Sequence, residues 1–308
     1  MSRPHPREGS RFVCRGGSRH HREPPGNDPR PAASNCEVER EENLQSMRED
    51  LGLRSMPVIF AAHGAPVLLD DAGWMAELAA WAKAMPKPTS ILMISAHWEE
   101  QPTTLGATRT RPLIYDFYGF PERYYQTRYP APGAPDLAAR VREFLRQKKL
   151  PVAEDPERGL DHGAYVPLVP MYPDADVPVL QVSMPGLDAQ ELFRLGQSLA
   201  PLRHEGVLIF GSGFITHNMR YAFRPGIPSW ARDFDAWAAD ALLRFDADAL
   251  LDFQARAPAA HMALPTWEHY APLLVVAGAV ADDRPRTTFP ITGWWMEGAF
   301  TKRSVQFD

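Results

Sequence analysis

The chain of 308 residues has 44% apolar side chains and a formal charge of −5, enough length and apolar content for one large α/β domain or two small ones. Lysine and arginine are scattered rather than clustered, which leaves no basic field for nucleic acid or an anionic membrane. No run of about 18 apolar residues offers a membrane span, and the N-terminus lacks the apolar stretch of a secretory signal, so a cytoplasmic location is expected.

The first 55 residues differ from all that follow: they hold ten arginines, six prolines, no lysine and one aromatic residue, Phe12. Such a segment cannot bury enough apolar surface to offset chain entropy. Residues 1–54 are therefore expected to be a disordered tail or a mis-assigned start, with Met47 and Met56 as candidate initiators. Glu37, Glu39, Glu41 and Glu42 argue against a transit peptide, which is poor in acids. Both cysteines, Cys14 and Cys36, lie in this tail, so residues 55–308, the expected folded domain, hold no thiolate ligand and no cysteine nucleophile.

From Pro57 onward, short apolar runs alternate with amphipathic segments. Strands are expected at PVIFAA (57–62), ILMISA (91–96), VPVLQVS (177–183) and GVLIFGS (206–212). Helices are expected over 72–85, 135–147, 188–202 and 229–245, and PTWEHYAPLL (265–274) reads as the start of an apolar helix. The pattern predicts an α/β single domain with a central mixed, mostly parallel sheet flanked by helices.

HGAP follows the first strand, HWEE the second and GFITHN the fourth. Ligands of open α/β sheets bind beyond the carboxyl ends of the strands, where His63, His97 and His217 fall. A single histidine at such a place is most simply structural; three at equivalent places point to a shared task. Of the other histidines after residue 55, His204 sits at an expected helix C-terminus and His261 in a loop, while His162 (LDHGAYVP) and His269 (WEHYAP) lie in compact stretches like the first three. Several imidazoles without cysteine suit Zn(II), Fe(II), Ni(II) or Cu(II) rather than Mg(II) or Ca(II). A metal site at the C-terminal ends of the strands is the expectation. Other chemistry has little support: GSG at 211–213 only half resembles a nucleophile elbow, and neither GxGxxG, a Walker loop nor HExxH occurs. Asp233, Asp235 and Asp240 read as solvated helix faces.

Taken in order, HGAP, SAHW, DHG, THN and EHY resemble the motifs of the class III extradiol ring-cleavage dioxygenases, in their DOPA 4,5-dioxygenase-type branch. The resemblance spans residues 57–308 and includes the connecting text at 114–138 and 160–184. It implies that 55–308 is a catalytic domain that opens a catechol, a DOPA-like or related aromatic diol, with O₂. It also implies one non-haem Fe(II) or Zn(II) per chain, held by His63, His97 and His269. His217 matches a histidine treated either as a further ligand or as the acid/base, and His162 one that faces the substrate; His217 is the first candidate to take and return a catechol proton and His162 the second. The wider superfamily uses a glutamate as third ligand, and Glu268 adjoins His269. The aromatic segment 113–129 suits either a pocket lining or packing on the sheet; Tyr115 and Tyr118 are its candidate substrate contacts, and Arg123 and Arg128 can meet a substrate carboxylate. A zinc-dependent hydrolase and a non-enzymatic binding protein are the competing classes.

Overall fold

The computed structural model describes residues 55–283 and 285–308; the expected tail, residues 1–54, lies outside the described residues. In chain order the elements are β1 (Val58–Ala62), α1 (Ala72–Ala84), β2 (Ser90–Glu99), β3 (Thr103–Leu105), α2 (Glu122–Tyr125), α3 (Pro135–Gln147), β4 (Val152–Glu154), α4 (His162–Met171), β5 (Val179–Met184), α5 (Ala189–Leu199) and β6 (Val207–Gly213). Then come α6 (Ser229–Leu243), three short helices α7 (Ala247–Leu251), α8 (Phe253–Arg256) and α9 (Ala260–Ala263), α10 (Ala271–Gly278), and four strands β7 (Thr287–Ile291), β8 (Trp294–Trp295), β9 (Phe300–Thr301) and β10 (Ser304–Phe307).

Eight strands form one sheet in the order β4-β3-β5-β2-β6-β1-β10-β7, and β8 pairs with β9 apart from it. The central run β5-β2-β6-β1 is parallel throughout. β10 and β7 add antiparallel at one side, and β3 joins β5 antiparallel at the other. This is the expected mixed, mostly parallel sheet, and its four predicted strands are the central four. Every residue of β1, β5 and β6 is buried, as befits strands covered by helices on both faces.

The two-residue period of the strands sorts these side chains. Val58, Phe60, Leu92, Ile94, Leu180, Val182 and Ile209 pack with α3, α5, α6 and α10. Ile59, Ala61, Ile91, Met93, Val179, Leu208 and Phe210 face α1 and α4. Aspartates start four of the helices: the side chains of Asp71, Asp161, Asp188 and Asp246 accept from the N–H groups of Trp74, Ala164, Glu191 and Ala249, each satisfying a helix-end donor.

Several expectations shift. The helix predicted over 188–202 ends at Leu199 and tightens into a 3₁₀ turn over Ala200–Glu205. The helix predicted around 265–274 begins at Ala271, which leaves His269 in the preceding turn. Asp235 is buried rather than solvated, because both its oxygens pair with Arg303 at 2.8 and 2.6 Å and Thr301 donates to it at 2.7 Å. α4 was not expected at all, since Pro167 and Pro170 lie inside it. No described helix is long and apolar enough to cross a membrane.

Candidate metal centre

Each of the five histidines reaches one place by a different local device. His63 directly follows β1, and its backbone N–H donates to the Gly213 carbonyl at the end of β6. His97 lies within β2 rather than after it, in the stretch where pairing with β5 shifts register between Ile94 and Glu99; such an irregularity re-aims a side chain. His162 is the first residue of α4. His217 follows β6 and is held by a backbone bond to Ala263. His269 sits in the turn before α10, its carbonyl accepting from Phe214 N–H at 2.8 Å. Its fit there explains Gly213, where a side chain would run into the His269 carbonyl.

The rings form one cluster. His63 lies 5.0 Å from His97, 5.5 Å from His162 and 5.3 Å from His269, centroid to centroid. His97 is 4.0 Å from His162 and 5.0 Å from His269, and His217 stacks on His269 at 3.6 Å. Among the described residues, two groups have ligand atoms within 4.8 Å of one another: His63, His97 and His162, and His217, Glu268 and His269. The trio implied by the resemblance, His63, His97 and His269, therefore spans both groups.

The polar partners determine which ring nitrogens are free. Pro167 lacks the N–H that would bond the Gly163 carbonyl four residues earlier. The Ser212 hydroxyl takes that carbonyl instead, so Ser212 Oγ accepts from His63 Nδ1–H at 3.0 Å. The His63 lone pair is thereby placed on Nε2, and His63 Nε2 faces His97 Nε2 at 3.2 Å. Glu268 holds His269 at Nδ1, 3.0 Å, leaving Nε2 free there as well. Asp116 Oδ1 accepts from both the backbone N–H and Nδ1–H of His162, at 3.0 and 2.8 Å, and Oδ2 lies 3.6 Å from His97 Nδ1.

Burial, reinforced by the neighbouring imidazoles, lowers all four remaining histidines: His97 and His217 to about 4, His63 and His269 well below their ordinary value. Burial pushes the Asp116 carboxyl up, but its bonds from His162 prevail and hold it at about 2. Neutral imidazoles held out of water, with the Nε2 atoms of His63 and His269 left free by their partners, are what a transition-metal ion needs. Bonds of about 2.0–2.1 Å to one ion place adjacent nitrogens roughly 3 Å apart, close to the 3.2 Å between His63 and His97. The donor set fits the metal.

Residues 58–302 match the family model described as the catalytic LigB subunit of aromatic ring-opening dioxygenase. The chain belongs to this family. It is a class III extradiol dioxygenase, an oxidoreductase. Among its relatives, a protein of Beta vulgaris named "4,5-DOPA dioxygenase extradiol" is 42% identical over 232 residues, 73% of this chain and 87% of that one. A protein of the same name from Escherichia coli K12 is 37% identical over 82% of this chain and 94% of its own length. A crystal structure of an uncharacterized Escherichia coli K12 protein superposes with a TM-score of 0.70 at 34% identity, covering 82% of this chain and all of that one.

Aromatic side chains wall the dioxygenase's cluster. Phe117 stands edge-on to His162 at 5.8 Å; Phe214 lies 5.4 Å from His63 and 5.9 Å from His217; Phe300 lies 5.2 Å from His217. The four expected substrate contacts lie in the same segment as Phe117. Tyr115 donates its hydroxyl to the Thr127 carbonyl at 2.8 Å, and Arg123 is paired with Asp70 at 2.6 Å. Tyr118 is 90% exposed. Arg128 is also exposed and, with Tyr115, Tyr125 and Arg111, lines a cavity of about 960 Å³. Sequence reading overlooked Asp116 inside the aromatic run, and took Ser212 only as a weak nucleophile candidate. The sole signal for Asp116 is a carboxylate set directly between Tyr115 and Phe117.

Proposed function

We propose that this extradiol dioxygenase opens a DOPA-like catechol at a metal held by His63, His97 and His269, with His217 beside it as fourth ligand or acid/base. The observation that carries the reading is the convergence of inward Nε2 atoms, His63 and His97 at 3.2 Å, next to an aromatic wall. The relatives named "4,5-DOPA dioxygenase extradiol" support a catechol of that type. Fe(II) is the proposed ion: when bound, it supplies chelation of the two catechol oxygens and electron transfer to O₂, which zinc cannot do.

The chain's own groups do the rest. The rings of Phe117 and Phe214 offer faces and edges to an aromatic substrate and exclude water. His162, its Nδ1–H committed to Asp116, presents Nε2 to receive a proton from a catechol hydroxyl and to return it later. Arg128, which makes no ion pair among the described residues, is proposed to meet the carboxylate of an amino-acid side chain.

The test is to load the purified protein with Fe(II) without air, add L-DOPA, admit O₂ and follow oxygen uptake with the yellow ring-opened semialdehyde. One O₂ consumed per coloured product supports the reading. No uptake with L-DOPA or simple catechol by fully loaded protein overturns it.

A further inference from the structure

We propose that Asp116 is a positioning residue that sets the tautomers of both His97 and His162 and ties the aromatic loop to the metal centre. A carboxylate is an acceptor only. Because its Oδ1 takes the backbone N–H and the ring Nδ1 of His162, at 3.0 and 2.8 Å, neutral His162 carries its proton on Nδ1 and its lone pair on Nε2. Its Oδ2 stands 3.6 Å from His97 Nδ1. That is too long for a hydrogen bond, but a negative charge at that range favours Nδ1–H over a lone pair. The lone pair of His97 then sits on Nε2, the nitrogen that faces His63 Nε2 at 3.2 Å. One side chain thus selects the working nitrogen of two imidazoles with different tasks.

Asp116 also belongs to a stretch without regular secondary structure that is fastened at several points. Ile114 N–H donates to Leu160 O at 2.8 Å, Tyr115 Oη to the Thr127 carbonyl at 2.8 Å, and Tyr125 Oη to the Phe117 carbonyl at 3.3 Å. The residue after Asp116 is Phe117, whose ring stands edge-on to His162. The wall of the substrate space and the acceptor of His162 are therefore adjacent residues of one segment, and the segment's placement and the imidazole's orientation are not independent.

The test uses Asp116→Asn in the full chain. Asparagine keeps the shape and can still accept from His162 through Oδ1, but Nδ2 then places a donor opposite His97 Nδ1. That favours the Nε2–H tautomer of His97 and turns its lone pair away from the ion. Long-range ¹H–¹⁵N spectra of the zinc-loaded, histidine-labelled protein, in which an ion rather than a proton stands between His63 Nε2 and His97 Nε2, read each tautomer directly. Expected is Nδ1–H for His97 and His162 in the wild type, and Nε2–H for His97 in the variant. Zinc affinity should fall about tenfold to a hundredfold, the range for loss of a ligand's supporting partner. With Fe(II) restored to saturation, kcat should fall at least about tenfold with KM within about threefold, the mark of a group acting in the reaction rather than in binding.

Unchanged tautomers and wild-type affinity and kcat in Asp116→Asn overturn the proposal. So does a wild-type His162 found as Nε2–H, a result that needs no variant to fold. The kinetic arm rests on the proposed catechol reading; if the wild type opens no catechol that reading fails, while the spectra still decide the role of Asp116.

Discussion

The Nε2 atoms of His63 and His97 lie 3.2 Å apart, although 34 residues separate them in sequence. Two lone pairs at that distance repel unless a proton or a cation lies between them. With His63 Nδ1–H committed to Ser212, either a His97 Nε2–H or a cation stands between them, and the Asp116 carboxylate 3.6 Å from His97 Nδ1 favours the proton there and hence the cation. His97→Ala is therefore expected to lose metal on dialysis, whereas His162→Ala keeps it and loses turnover. Elemental analysis of the purified variants decides, and full metal in His97→Ala would remove it from the ligand set. His217→Ala separates the two roles open to His217: metal lost with the ring marks a ligand, metal kept with kcat lost marks the acid/base.

Ser212 links a helix defect to the metal. Replacing it with alanine leaves both His63 Nδ1–H and the Gly163 carbonyl without their partner, at a cost of about 1–3 kcal/mol for each buried group so orphaned. Metal affinity should drop about tenfold to a hundredfold. Gly163→Ala should be as damaging, because its Cβ would meet the Ser95 hydroxyl and lie 2.8 Å from His97 Cδ2. Competition with a chromogenic chelator measures both, and wild-type affinity in either variant would contradict this chain of contacts.

Acid should destabilise the metal-free protein. Burial, with the neighbouring imidazoles, holds His97 and His217 at about 4, while an unfolded imidazole titrates near 6.5. Between these values the unfolded chain binds more protons, so stability is full above about 6.5 and is lost as pH falls toward 4. Each such imidazole contributes a slope of about 1.4 kcal/mol per pH unit in that window. Urea midpoints at pH 7.5 and pH 5 test this; equal midpoints would mean that the cluster is already charged in the fold.

Arg128→Ala should raise KM for L-DOPA about tenfold or more while leaving KM for unsubstituted catechol unchanged, as expected for a lost charge-assisted contact to a carboxylate. Steady-state oxygen uptake with the two substrates provides the comparison. An equal effect on both would assign Arg128 to structure rather than recognition.

Removing residues 1–46 should leave kcat/KM unchanged. Met56 N–H bonds to the Arg203 carbonyl at 2.9 Å, next to the start of β1, while His63 follows its far end. Five residues of strand separate the two by about 17 Å. A truncated protein that is folded but inactive would show that the segment contributes to the site.

The five histidines could be read from the sequence because each is tied to a local pattern: a residue at or near the end of an apolar strand run, or one in a compact Gly- and aromatic-containing stretch. The central strands were legible for the same reason, since β1, Ile91–Ile94 of β2 and Val207–Phe210 of β6 are unbroken apolar runs. α4 was not, because Pro167 and Pro170 argue against a helix by local rules. It is tolerated because a hydroxyl on β6, 49 residues away in sequence, replaces a bond the first proline cannot make.

The residue types at the strand ends already determined that the chain can bind a transition metal with nitrogen donors and no thiolate, since donor chemistry is a property of side chains alone. Which nitrogen of each ring faces inward was decided only by tertiary structure. Tautomer depends on what meets the opposite nitrogen, and those partners are Ser212 for His63, Asp116 for His162 and Glu268 for His269. The first two stand 149 and 46 residues from the rings they orient, distances that no local pattern spans. Even Glu268, adjacent in sequence, meets His269 Nδ1 only because the turn before α10 brings the two side chains together.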